Sequence, residues 1–409
     1  MIQRNPYIAN LKAGYLFPEI AKRCRAYSAA HPNAKIISLG VGNTTEPIPP
    51  HINAGLVEGA RKLGTVEGYS GYMDEGLLEL REKISAVYYG NNFSANEIFI
   101  SDGAKCDIGR LQIMFGAGKQ VAVQDPSYPV YVDGTVLTGS AGGSVQVASS
   151  AGAGFAYEGI MYLPCTAENN FFPGLSRIPS NCLIYFCSPN NPTGVTANKE
   201  QLASLVETAN KKGCIIIFDA AYNAYIRDPN LPKSIFEIEG ARECAIEVNS
   251  FSKSAGFTGI RLSWTVVPKE LVYFSGERIL ADWNRVCSTI FNGASNIAQA
   301  GGIAALDSEG QAEIRSLTDF YLGNAQLILN ALQKLDIQCY GGDNSPYIWA
   351  HFPRRDSWEV FSEILKQCQI VTTPGEGFGP AGDCYIRFSA FGRRSAVEEA
   401  CTRLEKFSF

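Results

Sequence analysis

The segment NSFSKSAGFTGIR, residues 249–261, places Lys253 behind two serines, Ser250 and Ser252, and eight residues before Arg261. A lysine on a solvated loop is the ordinary case. Here hydroxyls, the N–H groups of a glycine-containing loop and a guanidinium surround it, which suits a phosphate, with an amine beside it able to condense with a carbonyl. Asp219 ends the apolar run CIIIFD and Tyr222 follows three residues later. Alone, such an Asp caps the next turn. Asn191 in SPNNPTG and Tyr128 in DPSYP are a turn residue and a core aromatic by default. SDGAK, before an apolar helical pattern, offers the N–H groups of Gly103, Ala104 and Lys105 to an anion. Arg387 lies in CYIRFSAF, among apolar neighbours. A guanidinium buried there must find an anion, either a protein carboxylate or one on a substrate.

A carboxylate held near a pyridine nitrogen keeps that nitrogen protonated, and a lysine amine beside a phosphate pocket can hold an aldehyde. Asp219 and Lys253 together therefore suit pyridoxal phosphate. Asn191 and Tyr222 can hydrogen-bond its phenolic oxygen, and Tyr128 can stack on its ring.

Such groups need a scaffold that delivers them to one place. Over residues 182–267 strand-like runs (CLIYFC, CIIIFDAAY, CAIEV, LSWTVV) alternate with helical patterns and polar loops. Asn198, three residues before Gln201, predicts a helix start, and Leu202, Leu205, Val206 and Ala209 follow at helical spacing until Gly213. EIFIS running into DGAKCDIGRLQIMFG and VAVQ into DPSYPVY repeat the pattern. This is the grammar of an α/β fold with a mostly parallel sheet and helices on both faces, whose ligands bind beyond the strands' carboxyl ends. The Gly-, Ser- and Ala-rich stretch 139–154 reads as a surface connection. From Asn292 a long helical pattern leads into YIWAHF, VTTPGEGFG and CYIRFSAF, an α+β set typical of a smaller domain, with which the first forty residues are expected to pack. The expected division is a large domain over 45–291 and a small one built from 1–44 and 292–409.

Composition removes other classes. The 409 residues carry 35 Lys+Arg against 40 Asp+Glu, a net charge of −5 without long runs of one sign, which disfavours nucleic-acid and polybasic membrane roles. The longest apolar runs are strand-sized, so no transmembrane segment is expected. The N-terminus shows no export signal, and a removed transit peptide stays open. Twelve cysteines without a Cys-x-x-Cys read as buried free thiols in a reducing compartment. Three scattered histidines, His31, His51 and His351, make histidine-centred metal or triad chemistry a poor expectation, and no metal is expected.

In the order Tyr72, SDGAK, Tyr128, NNPTG, Asp219-x-x-Tyr222, SFSK, Arg261, Arg387, these pieces resemble the fold-type I pyridoxal-phosphate aminotransferases over essentially the whole chain. Longer segments, among them LKAGYLFPEI, SLGVGNTTEPIP, TVEGYSGY, SFSKSAGFTGIRL and VTTPGEGFGP, resemble the branch of that family acting on LL-2,6-diaminopimelate. The resemblance implies that Lys253 is catalytic, holding the cofactor covalently and then moving the proton. It implies that Ser250, Ser252, Arg261, Ala104 and Lys105 bind the phosphate region, with Tyr72 reaching it from the neighbouring subunit of a homodimer. Asp219 would pair with the pyridine nitrogen, Asn191 and Tyr222 with the phenolic oxygen, and Tyr128 would stack on the ring and face substrate. Arg387 would clamp the substrate's α-carboxylate, while Tyr15, Gly42, Lys105 and Asn292 would serve its far end. The implied reaction exchanges an amino group between LL-2,6-diaminopimelate and 2-oxoglutarate, giving tetrahydrodipicolinate and glutamate, in lysine biosynthesis. The implied compartment is the cytoplasm, or the plastid stroma for a mature plant or algal chain. Two positions depart from the pattern: Asn43 where Asp is expected and Arg393 where His is expected.

Aspartate, alanine or aromatic specificity on the same cofactor site remains an alternative at this stage. A cofactor-sensing regulator would need a basic DNA-binding segment, which the N-terminus lacks, and a nicotinamide dehydrogenase would need a G-x-G-x-x-G after a strand.

Overall fold

The computed structural model describes residues 1–11, 16–149 and 152–408. The strands, in chain order, are β1 (Ile37–Ser38), β2 (Ile98–Ser101), β3 (Gln120–Asp125), β4 (Ser144–Ser149), β5 (Gly152–Tyr157), β6 (Ile160–Pro164), β7 (Cys182–Cys187) and β8 (Ile215–Asp219). They continue as β9 (Ala245–Ser250), β10 (Ser263–Val266), β11 (Cys339–Gly341), β12 (Tyr347–His351), β13 (Ile370–Val371), β14 (Thr373–Pro374) and β15 (Tyr385–Ser389).

Seven of them form one sheet in the order β2-β10-β9-β8-β7-β3-β6. From β9 to β6 all neighbours run parallel, while β10 is antiparallel to both β2 and β9. The expected mostly parallel α/β sheet is therefore present. Strand direction at β10 is not visible in LSWTVV, because apolar content says nothing about which way a strand runs.

The parallel strands read as continuous apolar runs because both their faces are covered. Ile184 and Phe186 of β7 join Ile216 and Phe218 of β8 in one core, under Leu202, Leu205, Val206 and Ala209. Leu183, Tyr185 and Ile217 point the other way, into a core shared with Ile108, Leu111 and Phe115 of the helix Ala104–Phe115. The helix Lys199–Lys212 has the expected ends: Asn198 and Gln201 cap one another, and Gly213 stops it at φ 64°.

A second, antiparallel sheet has the order β11-β12-β15-β14, and β1 pairs with β13. Leu16, Ile20 and Leu39 share the core of this sheet with Trp349, Ile386 and Phe388. The helical pattern after Asn292 resolves into two helices, Asn296–Ala305 and Ser308–Gln333, the second capped by Asp307. Ala298, Ala305 and Ile314 lie in the core that also holds Ile98 and Trp264 of the seven-stranded sheet.

The stretch 139–154 is not a plain connection. It opens the antiparallel hairpin β4–β5, paired from Ser144–Tyr157 to Ser149–Gly152. Backbone pairing carries this hairpin, and small side chains hide its alternation in the sequence.

All twelve cysteines are free, eight buried and four half-buried, so packing accounts for most of them. Among the described residues no helix is long and apolar enough to cross a membrane.

Candidate active site

The carboxyl edge of the seven-stranded sheet gathers the polar residues. Asp219 ends β8 and Ser250 ends β9; the turns after β7, β3 and β2 supply Asn191, Tyr128, and Ala104 with Lys105. Because β10 runs antiparallel, its start at Ser263 lies opposite Ser250 and Ser101, which brings Arg261 to the same edge. Arg387 arrives from β15 of the other sheet. These residues, with Gly42, Tyr222, Ser252 and Lys253, line one cavity of about 400 Å³.

One end of the cavity is built for an anion. The helix Ala104–Phe115 starts there, so the N–H groups of Ala104 and Lys105 have no intrahelical partner. Gly103, at φ 132°, is pressed so close to Arg261 that a Cβ would fall 2.0 Å from Nη2. Arg261 Nη1 donates to Ser252 Oγ at 3.1 Å and to the Thr258 carbonyl at 3.2 Å, and no carboxylate among the described residues pairs with it. Ser250 Oγ accepts from the Ser252 N–H at 3.0 Å, leaving its own proton to donate.

Deeper in, Asp219 is only 5% exposed. Its carboxylate accepts from the Tyr131 hydroxyl at 2.7 Å and the Ala221 N–H at 3.1 Å. Burial pushes its carboxyl upward and these donors pull it back. Tyr222 and Tyr347 share a hydrogen bond between hydroxyls at 3.0 Å. Tyr128 stands edge-on to Tyr131, with Lys105 Nζ 5.5 Å from its ring.

Arg387 is 1% exposed. It donates to Asn191 Oδ1 at 2.7 Å and to the Gly40 carbonyl at 2.6 Å, lies between the rings of Tyr347 and Phe378, and leaves Nε without a partner among the described residues. Asn191, accepting through Oδ1, keeps its NH₂ to donate.

Lys253 Nζ donates to the Gly42 carbonyl. Position 42 must be glycine, since a Cβ would sit 2.2 Å from the Tyr347 hydroxyl. Burial, and then the charges of Arg387, Arg261 and Lys105, bring the Lys253 amine down to about 7. It is thus substantially neutral near neutrality, as an amine must be to attack a carbonyl or take a proton.

This shift has a consequence for the cofactor-free protein. Between pH 7 and the ordinary lysine value the unfolded chain holds more protons than the folded one, so the Lys253 contribution makes stability rise with pH across that window. Below pH 7 both states are protonated and the full penalty of the buried charge remains. Lys253→Met should therefore be more stable than wild type at pH 6, on the order of 1–4 kcal/mol, with the difference shrinking as pH rises. Denaturant unfolding of both proteins across pH 6–10 measures it.

The fit to pyridoxal phosphate follows from these groups. Arg261, Arg387 and Lys105 line the cavity with one carboxylate among its described lining, Asp219, the Gly103 cradle has no room for a side chain, and helix N–H groups lie open beside it. The site suits a bound phosphate at one end and a substrate carboxylate at the other.

Of the residues expected from sequence, Gly42, Ala104, Lys105, Tyr128, Asn191, Asp219, Tyr222, Ser250, Ser252, Lys253, Arg261 and Arg387 meet in this cavity. Tyr72 and Asn292 do not; they line a separate surface depression together. Tyr15 lies outside the described residues. Sequence reasoning missed Tyr131 and Tyr347. Tyr131 is three residues from Tyr128, at the start of the helix Val130–Leu137, a usable signal, whereas YIWAHF gives no hint that Tyr347 faces the cavity. Asn43 lines the cavity mouth; Arg393 is exposed at the start of the helix Arg394–Leu404, outside the cavity.

Comparison with known proteins agrees with this geometry. Residues 34–404 match the family described as aminotransferase class I and II. The chain is 51% identical over 407 residues to a rice protein named probable LL-diaminopimelate aminotransferase, chloroplastic, covering 99% of this chain and 86% of that one. It is 48% identical over 406 residues to the LL-diaminopimelate aminotransferase of Protochlamydia amoebophila, covering 99% and 97%. A solved structure of L,L-diaminopimelate aminotransferase from Chlamydomonas reinhardtii superposes with a TM-score of 0.94 at 52% identity, covering 100% and 99%.

Proposed function

We propose, from the premise that this chain belongs to the class I and II aminotransferases, that it exchanges an amino group between LL-2,6-diaminopimelate and 2-oxoglutarate. The products are tetrahydrodipicolinate and glutamate, and the route served is lysine biosynthesis. The observation that carries this reading is Lys253: a partly neutral amine in a cavity with two guanidiniums that lack carboxylate partners, in a chain about half identical along its whole length to proteins named for this reaction.

The cofactor we propose is pyridoxal phosphate, which supplies an aldehyde that condenses with amines and a ring that delocalises the electron pair left when a proton leaves the α-carbon. The phosphate would be held by the Ala104 and Lys105 N–H groups, the Ser250 and Ser252 hydroxyls and Arg261. Asp219, kept in place by Tyr131, would hold the proton of the ring nitrogen. Tyr222 and Asn191 would donate to the phenolic oxygen, and Tyr128 would pack on the ring. Lys253 takes the substrate's α-proton and returns it, its basicity set by burial and by the three cations nearby. Arg387 orients the α-carboxylate so that the α-hydrogen faces Lys253. Gly42, Lys105, Asn292 and Tyr15 serve the distal amino-acid end.

The assay that tests substrate choice measures amino transfer to 2-oxoglutarate from LL- and meso-diaminopimelate, aspartate, alanine and aromatic amino acids. The expected result is a kcat/KM for the LL isomer at least about 100-fold above every other donor, because a site built for two charged ends leaves buried polar groups unpaired with a one-ended substrate. A preference for aspartate or an aromatic donor would transfer the reading to another branch of the family.

The working unit we propose is a homodimer. Tyr72 is 83% exposed, Val66 and Tyr69 stand out beside it, and Tyr72 shares its depression with Asn292, apart from the cavity each is expected to serve. A second copy covering this face would carry both into its neighbour's cavity. Sedimentation should give twice the chain mass, and Tyr72→Ala should retain cofactor at least about tenfold more weakly, read by equilibrium dialysis of pyridoxal phosphate. A monomeric enzyme with full activity would overturn this part.

We also propose the two-part division of the chain, with the later boundary inside the helix Ser308–Gln333 rather than at 292, since residues up to Leu322 share cores with the seven-stranded sheet and those from Ala325 join the small sheet's core. The compartment proposed is the cytoplasm, or the plastid stroma in a plant or alga.

A further inference from the structure

We propose that a cavity behind the turn 220–226 is a second, non-catalytic site for a small carboxylic acid. This goes beyond transamination and does not depend on which amino acid is the donor. The cavity measures about 250 Å³, enough for a metabolite smaller than a drug-sized ligand.

Asn223 lines it and is 5% exposed, yet its side-chain amide makes no hydrogen bond among the described residues. An amide with no protein partner that lines a cavity is available to a ligand there. The other polar groups divide into occupied and free. Glu247 is satisfied by the Tyr89 hydroxyl at 2.7 Å, the Ser234 hydroxyl at 2.6 Å and the Ile235 N–H at 3.1 Å. Glu237 accepts from the Lys233 and Ser234 N–H groups. Arg227 spends its donors on Asp319, Thr318 and the Ala224 carbonyl.

Among the groups left free, the charged donors are Lys233 and Arg315, while Asn223 Oδ1, Gln311 Oε1 and the second oxygen of Glu237 are left as acceptors. Lys233 Nζ has no partner among the described residues, and Arg315 uses only Nε, on Asp319 at 3.1 Å. Two positive groups at the mouth and an NH₂ inside match a carboxylate, whose two oxygens can take several such donors at once. Glu237 and Glu247 line the same space; burial pushes the Glu247 carboxyl up to about 7, so it carries only part of a charge near neutrality, and Glu237 is held by N–H groups on one oxygen.

The position ties this site to the catalytic one. Asn223 and Ala224 lie on the turn that also carries Tyr222 into the main cavity, and Tyr225, one residue on, donates its hydroxyl to the Lys253 carbonyl at 2.9 Å. An occupant therefore bears on the segment that positions Lys253.

The test is equilibrium dialysis of labelled succinate against the holoenzyme. Wild type should bind two equivalents per chain, one at Arg387 and one in this cavity. Arg387→Ala should leave one. Asn223→Leu, which removes the amide and narrows the cavity, and Arg315→Glu, an exposed reversal of charge that the fold tolerates if the first does not, should each weaken binding in this cavity at least tenfold. A single equivalent abolished by Arg387→Ala would overturn the proposal, as would two equivalents unmoved by either cavity variant. One equivalent that survives Arg387→Ala and is lost in Arg315→Glu would support this site while counting against Arg387 as the carboxylate clamp.

Discussion

Replacing Lys253 with alanine should lower kcat for amino transfer from LL-2,6-diaminopimelate by at least about 10³-fold, and the protein should stay folded. A positioned acid–base group contributes on the order of 10²–10⁴ in rate, and the same amine is proposed to anchor the cofactor as well, so the loss should reach the upper part of that range. The environment of the residue argues that this role, not packing, fixes its identity. Its amine is brought down to about 7 by burial and by three neighbouring cations, an arrangement that costs stability. The single hydrogen bond that Nζ makes among the described residues is to the Gly42 carbonyl, which satisfies only one of a protonated amine's three donors. Two measurements separate function from structure: turnover, and borohydride fixation of pyridoxal phosphate to the chain. Wild type should be labelled at one cofactor per chain and Lys253→Ala should not be. A variant with full turnover would remove Lys253 from the mechanism.

Much of this site was legible in the sequence because a parallel sheet writes its ligand edge into the chain. An apolar run followed by a polar turn marks a carboxyl end, and Asp219, Ser250, Asn191, Tyr128 and Ala104 each sit at one. Arg387 was legible for another reason: an arginine inside an apolar strand calls for an anion wherever the strand lies. The hairpin β4–β5 was not legible, since small residues leave no alternation to read. Tyr347 was hidden because its strand is apolar throughout and its place over Gly42 depends on a packing between sheets far apart in sequence. Tyr72 and Asn292 lie apart from the cavity in this chain, and only the proposed second copy would bring them to one.

Arg387→Met should raise KM for both 2-oxoglutarate and LL-2,6-diaminopimelate by about 10²–10³-fold, while folded stability stays within about 1 kcal/mol of wild type or increases. Truncating one member of a buried charged pair costs about 2–5 kcal/mol of binding, which sets that range. The prediction about stability rests on how this chain treats its other buried arginines. Arg81 pairs with Glu75 at 2.8 Å, and Arg110 pairs with Asp102 at 2.9 Å and Asp107 at 3.1 Å. Arg387 is more deeply buried than Arg81 and has no carboxylate at all among the described residues, only Asn191, the Gly40 carbonyl, Thr373 and two aromatic rings. These contacts orient the guanidinium without neutralising it. A cation left in that state is destabilising in the empty site and is relieved by a substrate carboxylate, so an apolar replacement of similar length should keep the fold and lose the ligand. Arg387→Lys should recover little of the affinity, because a point charge cannot reproduce the planar fork that Asn191 and Gly40 hold in place. Should Arg387→Met instead unfold readily while its KM values stay at wild-type levels, the arginine serves the small sheet, and the carboxylate must be bound by Lys105 or Arg261.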